Sequence, residues 1–446
     1  MNKNHIVFLA FSGISIRNLF TYNENLIKKI SSQYKISIIT KNEYKDLLPS
    51  EIYFININKF KLNFLDKIFY QLSSFSFYKN FHTKSHEILL EKPFFKGKFN
   101  FLKIFIMKIF PKSKYISSLI RNIHNYMIKI LHKKNINTLK KIRPSYLIAL
   151  NPLSKREGIV LEMCKKICST SGIIKSFDNI TTNGFMPSIP NKLFVWNKFM
   201  KKSAYEAYEV NPKNIFCVGS SQYDFLINKN KKNRNNNLNN NKRNILYCTN
   251  SNELYPGDRS NIDFLLDFAE TFNFYITLRF HQSDNEERWL NLKKHPRLII
   301  SNYDSFKFKS SEVRISLKQH LENLNTDIKN SLFTISSYST LIYDSLSRNK
   351  PAINLGFDPP GKQHKYPVKR LENFEHIIPM LKCKFVINTY NQNDLLKKII
   401  FLLENYTEFV NKHINDKEVF ISQHLASNKK DKTLKKILKH IGIKFN

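Results

Sequence analysis

Hydroxyl, imidazole and carboxylate groups that could hold a phosphate ester or activate an alcohol cluster at a few places in this 446-residue chain. The most informative is Leu332–Asp358, LFTISSYSTLIYDSLSRNKPAINLGFD. Leu332–Ile335 reads as a short buried strand and SSYST as a hydroxyl-rich turn. Leu341–Leu346 carries apolar residues at helical spacing, and Pro351–Leu355 reads as the next strand. Ser339 and Thr340 thereby fall at the carboxyl end of a strand, where ligands collect in open parallel sheets. The N–H groups and partial positive charge of a helix start suit a phosphate or diphosphate there. Asp344, just over one turn in from Ser339, is placed to hold a sugar hydroxyl. An ordinary Ser/Thr N-cap gives the same pattern. Arg279-Phe280-His281 follows a second expected strand, Phe274–Leu278, and sets a cation and an imidazole where anionic oxygens would lie.

The elements that would position these groups alternate as strand and helix. In the first half the expected strands are His5–Ala10, Lys35–Thr40, Tyr146–Leu150, Gly172–Ser176, Leu193–Trp196 and Asn214–Val218. Residues 228–244, NKNKKNRNNNLNNNKRN, have almost no apolar content and read as a solvated linker between domains. A second series restarts with Asn244–Cys248, helix Asn261–Thr271, Phe274–Leu278 and a weak strand at Leu298–Ile300, and from about Asn393 the chain is helical and basic. The domain organisation expected is 1–227, with a basic aromatic insertion at 59–143, then the linker, a second domain at 245–392 and terminal helices at 393–446. The fold class is α/β, with two doubly wound parallel sheets.

Hydrophobic content of 42% is ordinary, but the formal net charge of +37 is not. The scarcity of acids points to an anionic partner: a nucleotide diphosphate, a membrane surface or a nucleic acid. Residues 59–143 concentrate the effect, with 19 basic against 3 acidic residues among Phe, Tyr, Ile and Leu. FLKIFIMKIF, Phe101–Phe110, is the densest part. The expectation is an interfacial helix on anionic lipid, against the alternative of a solvated basic face. Five scattered cysteines lack zinc spacing and fit a reducing compartment. MNKNHIVFLAFSG reads as a first strand, not a signal peptide, and no window is apolar enough for a transmembrane helix. No helix-turn-helix, zinc or RNP-type signature supports nucleic-acid binding.

Residues 332–358 resemble the donor-site block of two-domain GT-B nucleotide-sugar glycosyltransferases, above all the bacterial surface-polysaccharide branch and the related CDP-glycerol glycerophosphotransferases. The elements carrying the resemblance are Ser339-Thr340, Asp344, Lys350-Pro351 and Asp358. Ser176-Phe177-Asp178-Asn179-Ile180-Thr181 is similar to the Trp-Asp-Asn-Leu-Thr block of that branch, with Phe177 at the Trp position. Val195-Trp196-Asn197 and Gly219-Ser220-Ser221-Gln222-Tyr223-Asp224 resemble two further blocks, Ser221 replacing a Pro. Arg279-Phe280-His281 resembles a basic residue followed by His-Pro, with Gln282 in place of Pro. Ser337 stands where the glycerophosphotransferases carry Asp, which counts against glycerol phosphate as the transferred group. The likeness spans roughly residues 140–360.

The resemblance implies a GT-B architecture, two Rossmann-like domains facing a cleft, with the final helices crossing back to the first domain. It implies a glycosyltransferase that moves a sugar from a nucleotide-sugar donor to a surface polysaccharide or other glycan acceptor, lipid-linked in the reading adopted. Donor contacts fall to Arg279, His281, Ser339, Thr340 and Asp344, the catalytic base to Asp178, and acceptor-side contacts to Asn179 and Thr181. Asp178-Asn179 is also an ordinary turn pair. Without an Asp-x-Asp motif at a strand end, neither a metal nor another cofactor is expected. The partners expected are donor, acceptor and an anionic membrane surface, with no nucleic acid, and the location is the cytoplasmic face of the plasma membrane. A sugar-nucleotide epimerase or glycerophosphotransferase on the same fold is the enzymatic alternative, and a basic nucleic-acid-binding protein the non-enzymatic one.

Overall fold

The computed structural model describes residues 4–21, 23–56, 60–89, 105–106, 109–177, 179–182, 184–224, 243–251, 255–281, 284, 289, 292, 295–301, 318–358, 360, 367–425 and 432–444. The chain divides into two compact units, one of residues 1–222 with 426–446, the other of residues 223–425. The Asn/Lys-rich segment expected as a linker lies, up to residue 242, outside the described residues.

The first unit is built on seven strands: β1 His5–Leu9, β2 Lys35–Thr40, β3 Tyr53–Asn56, β4 Tyr146–Ala149, β5 Ser169–Ile173, β6 Lys192–Val195 and β7 Ile215–Cys217. They lie in the order β3-β2-β1-β4-β5-β6-β7, all parallel. His5–Leu9 is buried along its whole length, as a central strand covered on both faces must be. Helix Lys155–Cys164 packs one face, with Ile159, Val160 and Met163 meeting Val7, Leu9 and Leu147 in a continuous core. The fifth strand falls three residues earlier than its expected start at Gly172. Thr170 and Ser171 made its beginning look like loop, but both are buried, and the Thr170 hydroxyl donates to Asn191 Oδ1 at 2.8 Å.

The second unit has six strands: β8 Asn244–Cys248, β9 Tyr275–Arg279, β10 Leu298–Ile300, β11 Phe333–Ser336, β12 Ala352–Leu355 and β13 Val386–Thr389. Their order is β10-β9-β8-β11-β12-β13, again all parallel. In each sheet the order reverses beside the first strand, between β1 and β4 and between β8 and β11. At such a switch point the loops leaving neighbouring strands diverge to opposite faces and open a crevice. Both sheets are doubly wound parallel α/β structures, as the alternation of elements in the sequence implies.

Candidate active site

At the carboxyl edge of the second sheet, polar side chains lace five strand ends together. Beyond β9, the backbone N–H of His281 donates to Thr249 Oγ1 at 2.8 Å, and that hydroxyl donates to Asp284 Oδ2 at 2.9 Å. Beyond β8, Asn250 Nδ2 donates to the Ser337 carbonyl at 2.8 Å, across the switch point. Ser337 Oγ donates to the Leu355 carbonyl at the end of β12, and Asn354 Oδ1 accepts from Tyr338 N at 2.7 Å. Asn354 Nδ2 reaches Asn388 Oδ1 of β13 at 3.1 Å. Buried amide and hydroxyl groups this fully engaged fix loop geometry, because leaving any of them unpaired is costly.

Tyr338 adopts a left-handed backbone with φ 43°, unusual for a bulky residue. Its hydroxyl donates to Glu372 Oε1 at 2.8 Å, which holds the strained turn. Gly356 lies beneath it: a Cβ there would meet Tyr338 Oη at 2.9 Å and the Thr389 carbonyl at 3.1 Å. The turn delivers Ser339, half-buried, and Thr340, exposed, at the rim. Ser339 Oγ accepts from Leu341 N at 3.2 Å, and the helix that follows is short, Leu341–Leu346.

The five donor residues expected from sequence fall into two sets. His281, Ser339 and Thr340 stand at strand ends on the rim. Burial lowers the His281 pKa from its ordinary value, against a smaller raising effect of Asp284, so the imidazole is neutral at neutral pH. Arg279 and Asp344 are turned inward. Arg279 Nη1 donates to Asp327 Oδ2 at 2.6 Å and to Ser301 Oγ at 3.3 Å, and the residue is only 5% exposed. Asp344, 7% exposed, has its carboxylate 3.9 Å from Arg348 Nη1. Both are integral to the packing of the unit, which is how a sheet accommodates buried charge. Lys350, part of the Lys-Pro pair, is likewise structural: Nζ donates to the Ser331 carbonyl at 2.5 Å, and burial lowers its pKa to about 8.

In the first unit the corresponding switch point is clamped by one carboxylate. Glu157 is fully buried and accepts from Phe11 N at 2.9 Å, beyond β1, and from Asn151 N at 2.7 Å, beyond β4. Burial raises its pKa to about 8, opposed by these N–H donors and by Lys175. Nearby is a small cavity of about 30 Å³ whose lining includes Ser15, Lys175, Trp196 and Ser220. Lys175 Nζ donates to Ser12 Oγ at 3.0 Å. A larger open groove of about 780 Å³, lined by residues such as Lys35, Tyr53 and Arg143, lies at the opposite, amino-terminal edge of the sheet.

Asp178, the expected base, lies outside the described residues, as does the side chain of Asn179, which opens the one-turn helix Asn179–Thr182. Thr181 is buried, and its carbonyl accepts from Thr83 Oγ1 at 3.0 Å. The blocks around them serve packing. Phe177 sits 6.0 Å from Trp196 and 6.1 Å from Phe199 by ring centroids, Trp196 Nε1 donates to the Ile174 carbonyl, and Asn197 caps helix Lys198–Tyr208 through Met200 N. Gly219, at φ 85°, takes a backbone that favours glycine. Thr249, Asn250, Asn354 and Tyr338 escaped the sequence reading. Their available signal was a buried Asn inside an apolar strand, AINL, and a Thr-Asn-Ser run directly after another. Among the described residues, no group of three or more His, Cys, Asp or Glu side chains could hold a metal ion.

No protein-family model and no curated protein matches this sequence. Solved structures do match along nearly the whole chain. A candidate UDP-N-acetylglucosamine 2-epimerase from Listeria monocytogenes aligns with TM-score 0.53 at 12% identity, over 98% of this chain and 97% of that one. A glycosyltransferase from Rickettsia africae aligns with TM-score 0.49 at 13% identity, over 99% and 98%. A variant of the wall teichoic acid polymerase TagF aligns with TM-score 0.49 at 11% identity, over 98% and 88%. At these identities the likeness is one of fold, and the Listeria structure carries it: the chain has the GT-B fold of two parallel-sheet α/β domains.

Proposed function

We propose that the chain is a nucleotide-sugar-dependent glycosyltransferase that works without a metal ion and extends a surface glycan, on a lipid-linked acceptor. The supporting observation is the laced carboxyl edge of the second sheet, which fixes the loops that carry His281, Ser339 and Thr340 beside one switch point. Leaving diphosphate oxygens need fixed donors of this kind, since dipoles already in place cost no reorganisation as charge develops. In this reading His281, Ser339 and Thr340 hold the diphosphate. The acceptor oxygen attacks the anomeric carbon, its proton passes to the Asp178 carboxylate, and the sugar–phosphate bond breaks with its electron pair leaving on the diphosphate. Arg279 and Asp344, both buried in ion pairs, keep the unit's edge rigid. The name of the Listeria protein pairs this fold with a UDP-sugar, which suits the same donor class.

Calorimetry of the full chain against UDP, CDP, GDP, ADP and inorganic phosphate tests the reading. A nucleoside diphosphate should bind, and phosphate alone should bind far more weakly. Silence across the panel would remove the donor site. A nucleotide sugar that binds and is converted to its epimer without any acceptor would turn the assignment to an epimerase.

A further inference from the structure

Ten of the eighteen large apolar side chains exposed among the described residues fall between positions 64 and 130. They are not scattered. Helix Lys114–Leu131 exposes Tyr115 (78%), Leu119, Ile123, Tyr126 and Ile130. At about 100° per residue these five occupy an arc of roughly 80°, one stripe along the helix. The same helix buries His124 and Ile128 on its other side, so its packing face is already used.

A second helix, Phe64–Asn80, runs antiparallel beside it. Phe69 stacks on His124 with centroids 6.0 Å apart, and Asn80 Nδ2 donates to Ser117 Oγ at 2.9 Å. That register brings the start of the second helix, with exposed Phe64, Leu65 and Ile68, alongside the Tyr126–Ile130 end of the stripe. Exposed apolar groups in such a contiguous set mark an interaction surface.

Charge decides what the surface fits. Lys61, Lys67, Lys112, Lys129, Lys133 and Lys134 are exposed on and around these helices. Helix Lys114–Leu131 and the following Lys133–Ile142 contain no acidic residue, and the only one in Phe64–Asn80, Asp66, is fully buried against His132. One nearby carboxylate, Glu209, is engaged by Lys114 at 3.0 Å. A protein partner would need a complementary acidic rim around an apolar groove. A bilayer containing anionic lipid supplies both features continuously, with acyl chains for the aliphatic stripe, the interface for Tyr115 and Tyr126, and headgroups for the lysines. We infer that the stripe Tyr115–Ile130, with Phe64, Leu65 and Ile68, is an interfacial face by which the first unit lies on anionic lipid. No helix among the described residues is long and apolar enough to cross a membrane, so this face adsorbs and does not span. The inference stands independently of the transferase reading.

The test is sedimentation of the full chain with vesicles of phosphatidylcholine, with and without phosphatidylglycerol, at low and high salt. Binding is expected on the anionic vesicles, weakening as salt rises. Leu119→Asp with Ile123→Asp should lower the partition coefficient by roughly tenfold or more, and Lys112→Glu with Lys129→Glu by a comparable factor. Lys382→Glu with Lys384→Glu, equal in charge change but placed on the second unit, should leave it nearly unchanged. All these positions are exposed, and thermal melts check that the variants remain folded. Absent binding at low salt, equal loss in the Lys382/Lys384 control, or unaltered binding by the Leu119/Ile123 variant would each overturn the inference. So would a dimer, seen by sedimentation equilibrium, that this last variant dissolves.

Discussion

The side-chain amide of Asn250 donates to the backbone carbonyl of Ser337 at 2.8 Å, fastening the loop after β8 to the loop after β11. The Asn250 backbone N–H is itself held by Asp258 Oδ2 at 2.8 Å, so the amide starts from a fixed point. These are the two loops that part at the switch point of the second sheet. A ligand at that crevice meets a rim whose two halves are tied together before it arrives, which removes an ordering cost from binding.

Replacing Asn250 by Ala should therefore act on both stability and affinity. The Ser337 carbonyl, buried with its residue 2% exposed, would lose this donor. A group left unsatisfied in this way costs about 1–3 kcal/mol, visible as a lower urea midpoint at unchanged slope. Nucleotide affinity measured under fully folded conditions should fall as well. An affinity equal to the parent's would mean that the fastening does not shape the binding site.

His281→Ala, or Ser339→Ala with Thr340→Ala, should weaken nucleoside diphosphate binding with little effect on the melting temperature. The hydroxyls are half-buried and exposed, and the His281 backbone N–H that binds Thr249 survives the substitution. Each lost hydrogen bond to a charged oxygen is worth about 1.5–3 kcal/mol, so roughly a tenfold rise in Kd is the least expected. Well-folded variants with parental affinity would return these residues to loop chemistry.

The two-sheet plan and most strands were legible because short apolar runs bounded by polar clusters are local signals, and most expected strands fall within one or two residues of those found; the edge strands β3 and β13 were not expected. The site was less legible. Arg279 looked available because its partner Asp327 lies 48 positions further along and belongs to no recognisable pattern. Asn250 read as a loop residue and Asn354 as part of an apolar strand, since hydrogen bonds across strand ends leave no trace in a single sequence. Phe177 and Trp196, which carried part of the resemblance, pack on one another with tilted rings 6.0 Å apart. The membrane-facing surface was expected within residues 59–143, densest at Phe101–Phe110, most of which lies outside the described residues. The exposed stripe found on Lys114–Leu131 depends on which helix face the neighbouring helix covers, and residue spacing alone does not give that.

If Asp178 is the base, Asp178→Asn should lower kcat by about a hundredfold or more and leave donor affinity nearly intact. The amide keeps the size and the turn-forming character of the acid but accepts no proton. The split between turnover and affinity is the diagnostic, because a variant that merely disturbed the loop would shift both. Turnover near the parent's would assign Asp178 to its turn.

The first unit should lose stability on mild acidification. Burial lowers the pKa of His86 and of His124 to about 4, and these residues are 2% and 1% exposed. In the unfolded chain they titrate near 6.5, so between about pH 6.5 and 4 the unfolded state binds protons that the folded state refuses. Their stabilising contribution is complete above 6.5 and declines as pH falls through that window, by up to about 3 kcal/mol each. His124→Phe, which keeps a ring to stack on Phe69, should flatten that part of the profile in urea titrations at pH 7 and pH 5. An unchanged slope would place the proton uptake elsewhere.

Glu157 should show the opposite dependence. It joins the loops after β1 and β4 by accepting from Phe11 N and Asn151 N, one on each oxygen, from a fully buried position. Burial raises its pKa to about 8, against about 4.5 when exposed, so between those values the folded state holds a proton that the unfolded state has released. The contribution of the group is therefore largest below about pH 4.5 and is lost as pH rises through about 8. Glu157→Gln is neutral at every pH, so the variant should lack this falling limb. It should also be weaker than the parent at low pH by about 1–3 kcal/mol, since an amide offers one acceptor oxygen where the loops present two N–H groups, and its NH2 faces the second. Urea midpoints of parent and variant at pH 5 and pH 8 separate the two effects: the parent's advantage should shrink as pH rises and reverse by pH 8. A gap of constant size would mean that the carboxyl keeps one charge state across the range, with the two backbone N–H groups outweighing its burial.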